Sequence, residues 1–153
     1  MGDPLSVTVG ILQVTTVCVS TVKALESLRT RYQNAGITIS ALCTESMLVS
    51  ASLSQIQSMF LQNNEALAVH LRSRPELSST LDTALTGCTV VYKCLDSEIQ
   101  KLSVDTHDYV HQSRINWKTK VRLLWNEDTM KEYLSHIRGQ QAALTLLIQG
   151  LQM

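Results

Sequence analysis

LSSTLDTALTGCTVVYKCLDSEIQKL, residues 77–102, is the most regular stretch of the chain, and its reading decides the fold class. Leu77, Leu81, Leu85, Cys88, Tyr92, Leu95, Ile99 and Leu102 recur at intervals of four and three residues, with Val91 beside them. At about 3.6 residues per turn those positions share one side of a helix, and a stripe of this kind is buried only when other helices cover it. The spacing predicts a helix from about Ser78 to Val104. The sequence that follows, VDTHDYVHQS, carries a weaker signal and reads either as a polar loop or as a frayed continuation.

Working outward, the partners of this seam are also helical. Upstream, Arg74-Pro75 closes a short helix holding Leu67 and Leu71, because the residue before a proline is pushed out of the helical region. Asn63-Asn64 supplies the cap that opens it. The preceding pattern, ITISALCTESMLVSASLSQIQSMFLQ, places Ile39, Leu42, Cys43, Val49, Leu53, Ile56, Met59 and Phe60 near one side of a long helix. The first helix starts with Asp3 as cap and Pro4 at the first helical position, and runs to about Arg31, where Asn34-Ala35-Gly36 stops it.

Downstream, Trp117, Val121 and Leu124 share a short stripe. Asn126 to Asp128 caps a last helix, with a stripe of Met130, Tyr133, Leu134, Ile137, Leu144, Leu147, Ile148 and Leu151. Gly139 costs that helix about 1 kcal/mol relative to alanine, and close helix packing is the expected reason for its missing side chain. The pattern as a whole predicts an all-α, antiparallel bundle of four long helices with one or two short ones, forming one domain over residues 1–153. The last apolar stripe reaches almost to Gln152-Met153, which suits the N-terminal part of a longer chain.

Composition agrees with helices. Apolar residues make up 44% of the chain but aromatic ones only 5%, so Leu, Val, Ile, Met and Ala dominate packing. Thirteen basic and thirteen acidic residues cancel, leaving no global field to draw nucleic acid, and no nucleic-acid partner is expected. Cys18, Cys43, Cys88 and Cys94 form no CxxC or Cys/His cluster and read as buried thiols of a reducing compartment.

From Pro4 through Val22 there is no charged side chain. A signal peptide would begin with basic residues, yet none precedes Lys23. The stretch is long enough for a span of about 20 residues, but Ser6, Thr8, Gln13, Thr15, Thr16, Ser20 and Thr21 make it polar for permanent insertion. The expectation is a bundle helix that hides Val9, Leu12, Val19 and their apolar neighbours against the others.

Motifs for chemistry are sparse. His107 and His111 stand at i and i+4, but Asp108 is shorter than the glutamate of HExxH and no third ligand follows at a suitable interval. Cys88 lies on the core seam and Cys94 faces elsewhere on the same helix, so neither forms a nucleophile–base pair. Gly10, Gly36, Gly87 and Gly139 are too scattered for a phosphate loop, and Leu85-Thr86-Gly87-Cys88 reads as a tight helix crossing. No catalytic residue, cofactor or metal is expected. Every charged residue between Tyr109 and Asn126 is basic: Arg114, Lys118, Lys120 and Arg122. Arg114, Lys118 and Arg122 repeat at i+4 beside Trp117, Val121 and Trp125, and such a ridge suits either solvent or anionic lipid.

The phrases MGDPLSVT, TRYQNAGITISALCTES, SASLSQIQSMF, SRPELSSTLDTALTGCTVVYKCLDSEIQKL and WKTKVRLLWNEDTMKEYLSHIRGQQAALTLLIQGLQ, spread over nearly the whole chain, closely resemble the fungal N-terminal domain of STAND-type NACHT and ankyrin proteins, within the HeLo-like group. The resemblance implies a helical bundle at the start of an intracellular immune-like or heterokaryon-incompatibility receptor, cytoplasmic until activation brings it to membrane. It further implies signalling or cell-death execution, in which oligomerisation gathers N-terminal bundles and the first helix engages the bilayer. The matching positions here are Leu5 to Val22, with Leu5, Val9, Leu12 and Val19 as membrane-engaging side chains. Arg114, Lys118, Lys120 and Arg122 are the candidate contacts for anionic lipid. Expected partners are further copies of the chain, anionic membrane lipid or a helical protein. The alternative is a self-association or protein-interaction module that does not insert.

Overall fold

The computed structural model describes residues 4–31, 36–112 and 126–152, with side chains described for 9–30, 36–101 and 126–152. Five helices account for the described residues, and no strand occurs among them: α1 (Pro4–Arg31), α2 (Ile37–Gln62), α3 (Asn64–Ser73), α4 (Pro75–Gln112) and α5 (Glu127–Leu151). Four are long and one is short, as the spacing predicts. Pro75 occupies the first position of α4, where its missing amide proton costs nothing, so the helix begins three residues before the expected Ser78. It continues through VDTHDYVHQ to Gln112, which resolves that segment as helix.

The caps differ in kind. Asn126 behaves as expected, its side-chain oxygen accepting from Thr129 N at 3.1 Å, with Glu127 and Asp128 favourably placed in the first turn of α5. Asn63 holds the cap position of α3 without a side-chain bond, and its own amide instead closes α2 onto Met59 O at 3.1 Å. Gly36 precedes α2 with φ of −56°, a conformation open to any residue.

The long helices form a ring in which α1 packs on α2 and α4, and α5 packs on the same two from the other side. Side-chain pairs give the directions. Thr38 meets Glu127, Ser52 meets Gln141 and Arg138 meets Glu45, so α2 and α5 run parallel. Gly87 lies against Gln140 and Gly150 against Leu77, so α4 and α5 run antiparallel. With α1 and α2 joined as a hairpin, α1 and α4 are parallel neighbours. Such a ring needs a connection from α2 to α4 across one end, and α3 supplies it, touching α1, α2 and α4. His70 of α3 is hydrogen-bonded through Nε2 to Gly150 O at 2.9 Å, engaging a carbonyl in the last turn of α5 that the helix itself leaves free.

A continuous core joins all five helices. Leu77, Leu81, Leu85, Cys88, Tyr92, Leu95 and Ile99 are buried, and Leu102 lies beyond the described side chains. On α2 and α5 the expected stripes face inward, with Met59 and Tyr133 only half-buried.

The first helix departs from expectation. Val9, Leu12 and Val19 are 47%, 52% and 36% exposed, and the buried face is Ile11, Val14, Cys18, Thr21, Val22, Leu25 and Leu28. Apolar residues surround α1, so no single stripe announces itself, and threonine does not mark the outside. Thr21 is fully buried because its hydroxyl donates to Val17 O, 2.9 Å away, satisfying the polar group within the helix. Extending the spacing backward from Leu25 and Leu28 reaches Cys18, Val14 and Ile11 and identifies the correct face.

Two smaller expectations also change. Cys94 is exposed, whereas Cys18, Cys43 and Cys88 are buried, and all four are free thiols. A Cβ at Gly139 would meet nothing within 4 Å, so no close packing requires that glycine. Where a tight crossing is expected, at Leu85 to Cys88, the space over Gly87 is filled by the side-chain amide of Gln140.

Candidate functional site

Two arrangements follow from this packing, one on the surface and one in the core. On the surface, the helical period aligns Val9, Leu12, Thr16, Val19 and Lys23 along the outer side of α1. This strip is apolar for half its length, carries no charge before Lys23, and lies beside a groove of about 770 Å³ between α1 and α4. Val14, Val17, Leu81 and Leu85 give the groove its apolar lining, while Gln13 and Thr16 face Asp82, Thr86, Thr89 and Lys93 across it. Thr16 and Thr89 satisfy their hydroxyls on Leu12 O and Leu85 O, so the rim is less polar than its composition suggests.

Both α1, over Val9–Thr30, and α2, over Ile37–Gln62, are long and apolar enough to cross a membrane by length and composition. Only 28% of the first window is buried inside the bundle, against 44% of the second. The first helix therefore shows more of its apolar surface to the outside. Sequence reading singled out α1 and passed over α2, whose single charge, Glu45, was an available signal.

In the core, four helices each place a polar group at one level. Cys18 of α1 donates its thiol to Ser46 O of α2 at 3.5 Å, and Cys88 of α4 contacts Gln140 Oε1 of α5 at 3.8 Å. Tyr92 OH reaches into the same space beside Cys18 and Ser46, yet neither the Tyr92 nor the Ser46 hydroxyl completes a hydrogen bond of normal geometry. Burial pushes the Cys18 thiol up to about 11, partly offset by Tyr92, and pushes Cys88 up to about 12, with added repulsion from Cys18. Tyr92 is raised for the same leading reason. These thiols stay protonated near neutrality, which suits packing rather than nucleophilic attack.

No group of three or more His, Cys, Asp or Glu residues able to hold a metal occurs among the described residues. Of the sequence-derived positions, Val9, Leu12 and Val19 come together on the outer strip of α1. The side chains of Leu5, His107 and His111 lie outside the described residues, as do Arg114, Trp117, Lys118, Lys120, Arg122 and Trp125. Sequence reading missed the groove wall of Asp82, Thr86, Thr89 and Lys93, although its i, i+4, i+7, i+11 spacing is visible. No family model, curated protein or solved structure matches the chain.

Proposed function

We propose that this chain is a non-enzymatic signalling or execution domain that meets a membrane through the outer strip of α1 once several copies are gathered. The observation that carries this reading is a helix without charge from Pro4 to Val22 whose Val9, Leu12 and Val19 already face outward. The resemblance to HeLo-like bundles of fungal STAND receptors points the same way, toward an intracellular, immune-like module.

Magnitudes explain why gathering matters. Burying a Val or Leu side chain fully is worth about 1.5–3 kcal/mol, and these three are only partly available. A few kcal/mol corresponds to an affinity of about 1 mM, too weak for one copy to stay bound. Several strips on one surface act together and convert weak contacts into persistent ones. The basic residues Arg114, Lys118, Lys120 and Arg122 would add about 1 kcal/mol per charge at an anionic surface. Deeper insertion requires α1 to leave Ile11, Val14, Cys18, Leu25 and Leu28 behind in the core, and it proceeds only where assembly or lipid favours the released state by more than those contacts are worth.

Leakage of anionic and neutral liposomes, measured with particle size, tests the reading. Val9→Asp and Leu12→Lys are exposed in the bundle, so each is expected to leave the melting temperature nearly unchanged while reducing leakage. Leakage that survives both substitutions removes α1 from the mechanism. Reversing Lys118, Lys120 and Arg122 should weaken anionic-liposome binding selectively. A second reading, a helical interaction module without insertion, draws on the groove beside α1; stable protein binding with no lipid association favours it.

A further inference from the structure

We propose that the face formed by α1 and α4 is a self-complementary contact surface for a second copy of this chain, related by a two-fold axis that crosses the helices. This goes beyond the membrane reading and does not depend on it; because Leu12 and Val19 serve both, the two-fold contact and the membrane contact exclude each other, and the dimer is a state in which the strip is covered.

The charge pattern motivates the proposal. Asp82, Thr86, Thr89 and Lys93 lie within one narrow stripe of α4, with the acid at one end and the base at the other. Eleven residues of helix separate the charges by about 16 Å, too far for them to pair within one molecule. Both are exposed, and neither has an ion-pair partner among the described residues. A two-fold axis passing between Gly87 and Cys88 sets Asp82 of each copy opposite Lys93 of the other, and Thr86 opposite Thr89. Two opposite-charge pairs form at once, and no like charges face each other along the stripe.

The neighbouring helix obeys the same symmetry. Because α1 and α4 are parallel, the axis also inverts α1 onto its copy. The groove is walled by residues from Gly10 to Val17 of α1 and from Ser78 to Lys93 of α4, so Gln13 and Val14 stand level with Leu85 and Thr86, and the axis crosses α1 two residues later, near Thr15 and Thr16. That is the midpoint between Leu12 and Val19. Each Leu12 therefore meets the other copy's Val19, covering exposed apolar surface on both sides. Charge and apolar pairs fall into register about one axis, which is the condition an isologous contact must meet. Like charges across such an interface are strongly disfavoured, so the surface also rejects a parallel alignment of α4 on α4.

Sedimentation of the 153-residue chain over a wide concentration range tests this. The expected result is a monomer–dimer equilibrium that weakens as salt is raised. Asp82→Lys alone, or Lys93→Asp alone, places like charges opposite each other twice and should weaken dimerisation about tenfold or more. The double variant Asp82→Lys with Lys93→Asp restores both pairs and should bring dimerisation back to within about threefold of the original. Helical content and melting temperature serve as folding controls. A chain that stays monomeric throughout overturns the proposal. So does a dimer that neither single reversal weakens, or one that the double reversal fails to restore.

Discussion

Gly87 of α4 lies directly against the Gln140 side chain of α5: a Cβ at position 87 would stand 2.5 Å from Gln140 Nε2. Gly139, one residue before that glutamine, has open space where its Cβ would be. Two glycines inside long helices thus answer to different constraints.

Gly139→Ala should stabilise the fold by about 1 kcal/mol, because it removes the backbone freedom of glycine without a clash. Gly87→Ala gains the same helix preference but must displace Gln140, so its net effect should be smaller or reversed. In a chain of this size the Gly139→Ala gain corresponds to a rise of about 2–4 °C in thermal melts. Equal gains at both positions would mean that the Gln140 amide moves aside at no cost.

Tyr92→Phe should leave stability unchanged or raise it by about 1 kcal/mol, since it removes a buried hydroxyl that lacks a partner while keeping the ring. Tyr92→Ala empties a fully buried aromatic site and should cost about 3–5 kcal/mol. Urea melts of both variants separate the contribution of the ring from that of the hydroxyl. A loss above about 1 kcal/mol for Tyr92→Phe means the hydroxyl is satisfied.

The thiols give a pH dependence with a definite sign. Burial raises Cys18 to about 11 and Cys88 to about 12 from an ordinary value of 9.0, so the folded state holds these protons more tightly than the unfolded chain. Their contribution is complete below pH 9 and is lost as pH rises toward the folded values. Each group removes up to about 1.4 kcal/mol per pH unit inside that window. The melting temperature should therefore be insensitive to these groups up to pH 9 and fall above it, with a shallower fall in Cys88→Ala measured against its own value at pH 8.

Thiol accessibility provides an independent check. Cys94 is exposed and the other three cysteines are buried, so a disulfide reagent added to native protein should label one thiol promptly and the rest on the timescale of opening. Cys94→Ser should abolish the prompt phase.

Asn126→Ala should cost about 1 kcal/mol, because Thr129 N loses its side-chain acceptor at the start of α5. Asn126→Asp or Asn126→Ser should recover most of that loss in the same denaturant titration.

The seam on α4 and the stripe on α5 are legible because charged and polar residues occupy most of their outer sides, whereas α2 exposes Ile37, Met47, Leu48 and Leu61 and its inner face is legible only from the spacing of Leu42, Val49, Leu53, Ile56 and Phe60. On α1 the period is blurred: valines occur on every side, and Thr21 is buried with its hydroxyl turned back on the helix. The pattern therefore places Val9, Leu12 and Val19 inward, whereas in the fold they face out. The level of Cys18, Ser46, Cys88, Tyr92 and Gln140 was hidden for another reason. It depends on the relative register of four helices, and spacing within a single helix carries no information about that. The wall from Asp82 to Lys93 was readable as spacing, but its significance required knowing that α4 runs parallel to α1.

The ring of helices also sets an order of opening. Without α1, α5 would still bridge α2 and α4, leaving three helices in mutual sequence. Of the seven described side chains that α1 buries, Ile11, Leu25 and Leu28 are large and Val14, Cys18, Thr21 and Val22 are smaller, whereas all seven that α5 buries are large: Met130, Leu134, Ile137, Leu144, Leu147, Ile148 and Leu151. Detaching α1 exposes less apolar area than detaching α5, so native-state hydrogen exchange should show its amides released through a lower-energy, partial opening while those of α5 wait for global unfolding.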